Sequence, residues 1–171
     1  MKKKLFTRCL LALVICMASV SCNASTSTKA DSCLSKALGD SIANIIGFAK
    51  HINAFTYYTD NGNISTKGIK KLHKNERFLL KFLLSNPQMT QQDQIVYGHF
   101  SPCIGFELKR NKREKVYVFV DLGLGKWSVS DSNSKMLKRF DTAGYEILHF
   151  CATLYPNDEF ITGIYHNRLS K

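Results

Sequence analysis

The chain has 171 residues, of which 44% are hydrophobic and 22% charged, and it carries a net charge of +11 at neutral pH. That length supports one domain with an adequate core. No internal repeat, Pro-rich stretch or long charge block divides it, which excludes solenoid, linker-rich and low-complexity architectures.

Lys2, Lys3, Lys4 and Arg8 form a cationic start, and an uncharged apolar stretch follows from Leu10 to Val20 before small and polar residues take over. This is the three-part layout of a secretory leader, so residues 1–21 are predicted to be a signal peptide. The apolar stretch is shorter than the roughly 20 residues that a membrane-crossing helix needs. Export to the bacterial cell envelope is the expectation. Ser19, Val20 and Ser21 ahead of Cys22 resemble the recognition box of bacterial lipoproteins, in which the cysteine thiol is acylated and becomes the first residue. That family places Leu where this chain has Ser19. Ordinary signal cleavage after Ala24 is the competing reading and would discard Cys22. Residues 22–31 are expected to be a polar tether, because Asn23 to Lys29 contains no large apolar side chain. Residues 32–171 are expected to be a single globular α+β domain.

Removing residues 1–21, which hold four cations and no anion, leaves a net charge of +7 over 150 residues. Such an excess suits an acidic protein or an anionic envelope component through long-range attraction. Export disfavours nucleic acid. The densest cationic cluster is Lys109, Arg110, Lys112, Arg113 and Lys115, opposed only by Glu114; it reads either as a contact patch or as a solvated hairpin loop.

Leu34, Leu38, Ile42, Ile45, Ile46 and Ala49 recur at helical spacing and predict an amphipathic helix, weakened by Gly39 and Gly47. His51 to Tyr58 reads as a strand, closed by a reversal at Asp60-Asn61-Gly62-Asn63. Asn75 is the expected cap of a short helix with Phe78, Leu79, Phe82 and Leu83 as its apolar face, stopped by Asn86-Pro87.

Ile104, Phe106 and Leu108 alternate with Gly105, Glu107 and Lys109, predicting a strand with one wet face. Val116 to Val120 is apolar on both faces and predicts a central strand covered on both sides. A turn at Gly123 to Lys126 leads to a third strand beginning at Trp127 and Val129. These strands make an antiparallel meander over 104–130, with helices expected on one face. Asp141 or Thr142 is the expected cap of a final helix over 142–155, with Gly144, Ile147, Leu148, Cys151, Leu154 and Tyr155 on one face and Pro156 at its end. Phe160 to Tyr165 reads as a last edge strand.

The run Phe100-Ser101-Pro102-Cys103-Ile104-Gly105-Phe106, with Val116 to Asp121, Trp127-Ser128-Val129 and Leu148 to Pro156, is similar to a loose family of uncharacterised, lipoprotein-like exported bacterial proteins. In those a Phe-x-Pro-x-x-Gly stretch opens a strand. The resemblance implies the fold and brings no activity. Many members have Arg after the Pro and a Cys-x-x-Cys-like pair ending the second strand, where this chain has Cys103 and Val120-Asp121-Leu122-Gly123. Thiol or metal chemistry at that pair is not implied here.

No catalytic constellation stands out. His51, His73, His99, His149 and His166 are scattered, no Gly-x-Ser-x-Gly elbow occurs, and Gly123 and Gly125 lack the third glycine of a dinucleotide loop. Asp131-Ser132-Asn133-Ser134 alternates oxygen ligands as a calcium loop does, without its Gly and distal Glu. No cofactor or metal is implied. Cys103 and Cys151 are the preferred pair if a disulfide forms, and the alternative is two small buried hydrophobes. The leading functional reading is a lipid-anchored, non-catalytic binding or interaction domain, of inhibitor or immunity type, with Tyr57, Tyr58 and Trp127 as candidate contact aromatics. The alternative is a hydrolase acting on an envelope polymer or lipid.

Overall fold

A computed structural model describes residues 32–60, 63–91, 99–142 and 145–170. Residues 1–31, which include the predicted signal peptide, Cys22 and the expected tether, and Asn61, Gly62 and Gly144 lie outside the described residues. No described helix is long and apolar enough to cross a membrane.

The expected apolar stripe from Leu34 to Ala49 is present but divided between two helices, α1 (Ser32–Leu38) and α2 (Asp40–Phe48). Gly39, at φ 81°, breaks them, a backbone conformation in which a side chain is strained. Leu34, Ala43, Ile45, Ile46 and Ala49 enter the core, and Leu38 and Ile42 pack against it. Strand β1 (His51–Asp60) follows, and β2 (Asn63–Lys71) returns along it in the expected hairpin.

Helix α3 (Lys74–Ser85) departs from expectation in its cap and in its buried face. It begins after His73, whose N–H is taken by Glu76 Oε2 at 2.7 Å, so Asn75 is not the cap. Its buried side chains are Leu80, Leu83 and Leu84, while Phe78, Leu79 and Phe82 are exposed. The helix carries two apolar stripes, and its anchors select between them. Leu72 before it and Met89 after it are both buried, and Arg77 Nη1 donates to Leu72 O at 2.9 Å. As expected, the helix stops at Asn86-Pro87, where Asn86 Oδ1 caps a short 3-10 turn, Pro87–Thr90, by accepting from Gln88 N at 3.0 Å.

The meander is β3 (Ile104–Lys109), β4 (Lys115–Asp121), β5 (Lys126–Ser130) and β6 (Met136–Asp141), of which β6 was not anticipated. Asp131 Oδ1 accepts from Asn133 N and Lys135 N, both at 2.9 Å, so the oxygen-rich run that suggested calcium is the capped loop of the β5–β6 hairpin. All six strands are antiparallel to their neighbours in one sheet, in the order β2-β1-β3-β4-β5-β6. The chain therefore forms an α+β domain, with α3 in the connection that carries it from the edge strand past β1 to β3.

Helix α4 (Glu146–Leu154) starts later than expected. Asp141 ends β6 and pairs with Lys126 at 2.8 Å, and Thr142 Oγ1 donates to Gly125 O at 2.8 Å, so neither caps the helix. Ile147, Leu148, Cys151 and Leu154 are buried as the spacing required, and the Phe150 ring stacks on Phe106 at 6.2 Å. The segment expected as an edge strand is helix α5 (Glu159–Leu169). Asp158 Oδ1 caps it through Ile161 N at 3.1 Å. Ile161, Ile164 and Tyr165 meet the core at helical spacing.

Helix residues and the inward residues of the strands form one cluster, so the described helices pack on one face of the sheet. Trp127, expected as an exposed aromatic, is fully buried there: its ring stacks on Phe140 at 4.7 Å and its Nε1–H donates to Met89 O at 2.7 Å.

Candidate functional site

The other face of the sheet is the distinctive surface. Strand alternation places Asn53, Glu107 and Tyr117 in one cross-strand row and Phe55, Gly105 and Phe119 in the next. Tyr57 follows Phe55 on β1. Central strand β4 is therefore not covered on both sides: Val116, Val118 and Val120 enter the core, whereas Tyr117 and Phe119 are half-buried on the face away from the helices. Among the described residues, mutual packing of aromatics takes the place of a second layer.

Gly105 organises this packing. A Cβ there would lie 2.4 Å from Phe55 Cε2 and 3.0 Å from Tyr57 Cε2, so both rings lean over the bare backbone of β3. The Phe55 and Tyr57 rings meet edge-on at 5.3 Å, Tyr57 reaches Phe119 at 5.5 Å, and Phe119 stacks parallel to Tyr117 at 6.1 Å. Aromatic pairs at such separations contribute about 0.5–1.5 kcal/mol each beyond burial. Burial, reinforced by Tyr117, pushes the Tyr57 hydroxyl up to about 12, so it stays protonated and able to donate.

A polar border adjoins the rings. Glu107 accepts from Asn53 Nδ2 at 3.2 Å and pairs with Lys109 at 2.8 Å, and Tyr117 OH lies 3.4 Å from its other oxygen. Burial raises the Glu107 carboxyl, but the hydrogen bonds from Lys109 and Asn53 and the charges of Lys109 and Lys115 outweigh it and hold the group below its ordinary range. Lys115 Nζ donates to Tyr117 OH at 3.1 Å and sits over that ring. The hydrogen bond to Tyr117 raises the Lys115 ammonium, followed by Tyr117's charge. Toward β5 and β6 this face closes: Lys126, Ser128 and Ser130 are buried, Ser101 N donates to Asp121 Oδ2 at 2.8 Å, and Arg139 lies over the Phe100 ring. The open part spans β1, β3 and β4.

The structure divides the predicted cationic cluster. Lys109 and Lys115 border the aromatic face, Arg110 leans over Phe48 and pairs with Glu114 at 3.7 Å, and Lys112 and Arg113 are exposed in the β3–β4 loop. Asn111 Oδ1 shapes that loop by accepting from Arg113 N and Glu114 N, both at 2.9 Å. Cys103 and Cys151 are buried thiols in the core. Burial pushes Cys103 up to about 11 and Cys151 well above its ordinary value, with Cys103 close enough to add to the latter. The side chain of Tyr58 lies outside the described residues.

His149 bonds Tyr165 OH at 2.7 Å between α4 and α5, on the helix side of the molecule. A surface hollow of about 590 Å³ is lined by residues 154–160, and its Asp158 serves as the α5 cap. Among the described residues no three of His, Cys, Asp and Glu come together as a metal site. Sequence reasoning missed Phe55, Phe119 and Gly105 as site residues. A lone glycine between Ile104 and Phe106 within a strand was the available signal, since it marks a close approach.

The described residues define a one-sheet α+β domain with half-buried aromatics on the face away from the helices. No family model matches the chain, and no match was found among curated proteins or solved structures.

Proposed function

We propose that this protein is an exported, non-catalytic binding domain of the cell envelope, held to a membrane by acylation of Cys22, that takes a partner on the open face of its sheet. The observation carrying this reading is the set of half-buried rings Tyr57, Tyr117 and Phe119, backed by buried Phe55 over Gly105 and bordered by Lys109 and Lys115. Rigid aromatics beside donors are the composition that interface hot spots favour. The two lysines suit a partner with acidic groups at its rim, either an acidic protein of the kind an inhibitor or immunity domain meets or an anionic envelope component.

Crosslinking in native envelopes, followed by recovery of partners, tests this. Phe119→Ser and Lys115→Glu are expected to lose a partner that wild type retains, while the Lys112→Glu variant, altered in the loop, keeps it. Equal recovery with all variants would reject the open face as the site. Mass spectrometry of the mature N-terminus decides the anchor: acylated Cys22 supports it, and a free amino terminus at Ser25 rejects it.

A further inference from the structure

We infer that α3 is a second, direct membrane contact, and that its outer stripe rests on an anionic lipid surface. Phe78 and Phe82 lie one helical turn apart and are 71% and 62% exposed, with Leu79 beside them 43% exposed. Single exposed apolar residues are ordinary on a protein surface, but three large ones on one short helix form a patch. The inner stripe, Leu80, Leu83 and Leu84, already satisfies the core, so the outer stripe is unused by the fold.

The charges around this patch decide the occupant. Lys74 precedes Phe78 by one turn, and Arg77 and Lys81 flank the stripe one turn apart. Lys70, on the adjoining edge strand, reaches the first turn of α3 and pairs with Glu76 at 3.1 Å. Glu76 is the only carboxylate in the helix, and it also takes the His73 N–H. The exposed stripe is therefore a row of aromatic and aliphatic side chains beside Lys74, Arg77 and Lys81, and the helix's one carboxylate, Glu76, is already paired with Lys70. A protein partner needs a matching surface, whereas headgroups accommodate such a row without one, and flexible cationic side chains reach phosphates while rings enter the acyl boundary. The helices lie opposite the aromatic face, so α3 resting on lipid turns the quartet Phe55, Tyr57, Tyr117 and Phe119 away from the membrane.

The test is Phe82→Trp in the full chain, mixed with phosphatidylcholine vesicles prepared with or without phosphatidylglycerol. Trp127 is the only native tryptophan and is fully buried, so it gives a constant background. The expected result is a blue shift of the added indole and its quenching by brominated acyl chains, only in vesicles containing phosphatidylglycerol. Quenching at position 82 reports ring insertion however the N-terminus is attached. Removing a cation, Lys74→Ala or Lys81→Ala, is expected to weaken vesicle affinity about fivefold, the equivalent of about 1 kcal/mol per surface charge. Phe78→Ser/Phe82→Ser is expected to abolish the anionic-lipid dependence without lowering the thermal midpoint. An indole that stays unquenched, or a double-serine variant that binds as wild type, overturns the inference. Protection of the indole in a crosslinked protein complex, without lipid quenching, would assign the patch to an acidic protein instead.

Discussion

Replacing Gly105 with alanine puts a methyl group where the Phe55 ring now lies, 2.4 Å from Cε2 and 2.5 Å from Cζ. The backbone of β3 is fixed by pairing on both sides, so the ring must move. Phe55 is 9% exposed, and displacing its ring forfeits about 1.5–3 kcal/mol of burial. Alanine recovers about 0.5–1 kcal/mol, because it loses less backbone entropy than glycine in a strand. The balance is a loss of about 0.5–2.5 kcal/mol, or about 2–8 °C in thermal midpoint for a domain of this size. Urea unfolding followed by circular dichroism measures it, with an unchanged slope indicating that stability alone shifted. The penalty should shrink in a Phe55→Ala background, where the alanine at 105 no longer meets that ring and keeps only the 3.0 Å approach of Tyr57 Cε2. A Gly105→Ala protein as stable as wild type, or the same penalty in both backgrounds, would refute the packing argument.

Trp127→Phe removes the donor to Met89 O and leaves that buried carbonyl without its 2.7 Å partner, at a cost of about 1–3 kcal/mol, read from the urea midpoint. Glu107 is held below its ordinary carboxylate value of 4.5. Its contribution is therefore complete above that pH and fades as pH falls through the lower folded value. Glu107→Gln should flatten the acid side of the stability profile below about pH 4.5 and leave the neutral region sloping as in wild type; identical acid limbs would dismiss the Lys109 and Asn53 interactions as stabilising. Cys103 and Cys151, buried with raised thiols, should resist alkylation at pH 8 until the chain is unfolded, while half-buried Cys33 reacts first. Non-reducing peptide mapping of protein isolated from cells checks this, and a Cys103–Cys151 bridge in the map would contradict it.

Where only one face of a segment is apolar, its period alone determined both the element and its inward side. Ile104, Phe106 and Leu108 went to the core as their alternation required, and Leu34 to Ala49 kept its stripe although Gly39 bent it into two helices. Where two faces are apolar, or the period is short, the sequence was ambiguous and tertiary contacts chose. On α3 the buried anchors Leu72 and Met89 turned Leu80, Leu83 and Leu84 inward and left Phe78 and Phe82 outside. On β4 the helices covered the valine side, leaving Tyr117 and Phe119 to pack with rings from β1. The segment from Phe160 became a helix because Asp158 caps it and Ile161, Ile164 and Tyr165 share one stripe against the core. The aromatic site was out of reach of sequence for the same reason: Phe55, Gly105 and Phe119 are far apart along the chain and become neighbours only through strand register, which is set by long-range pairing.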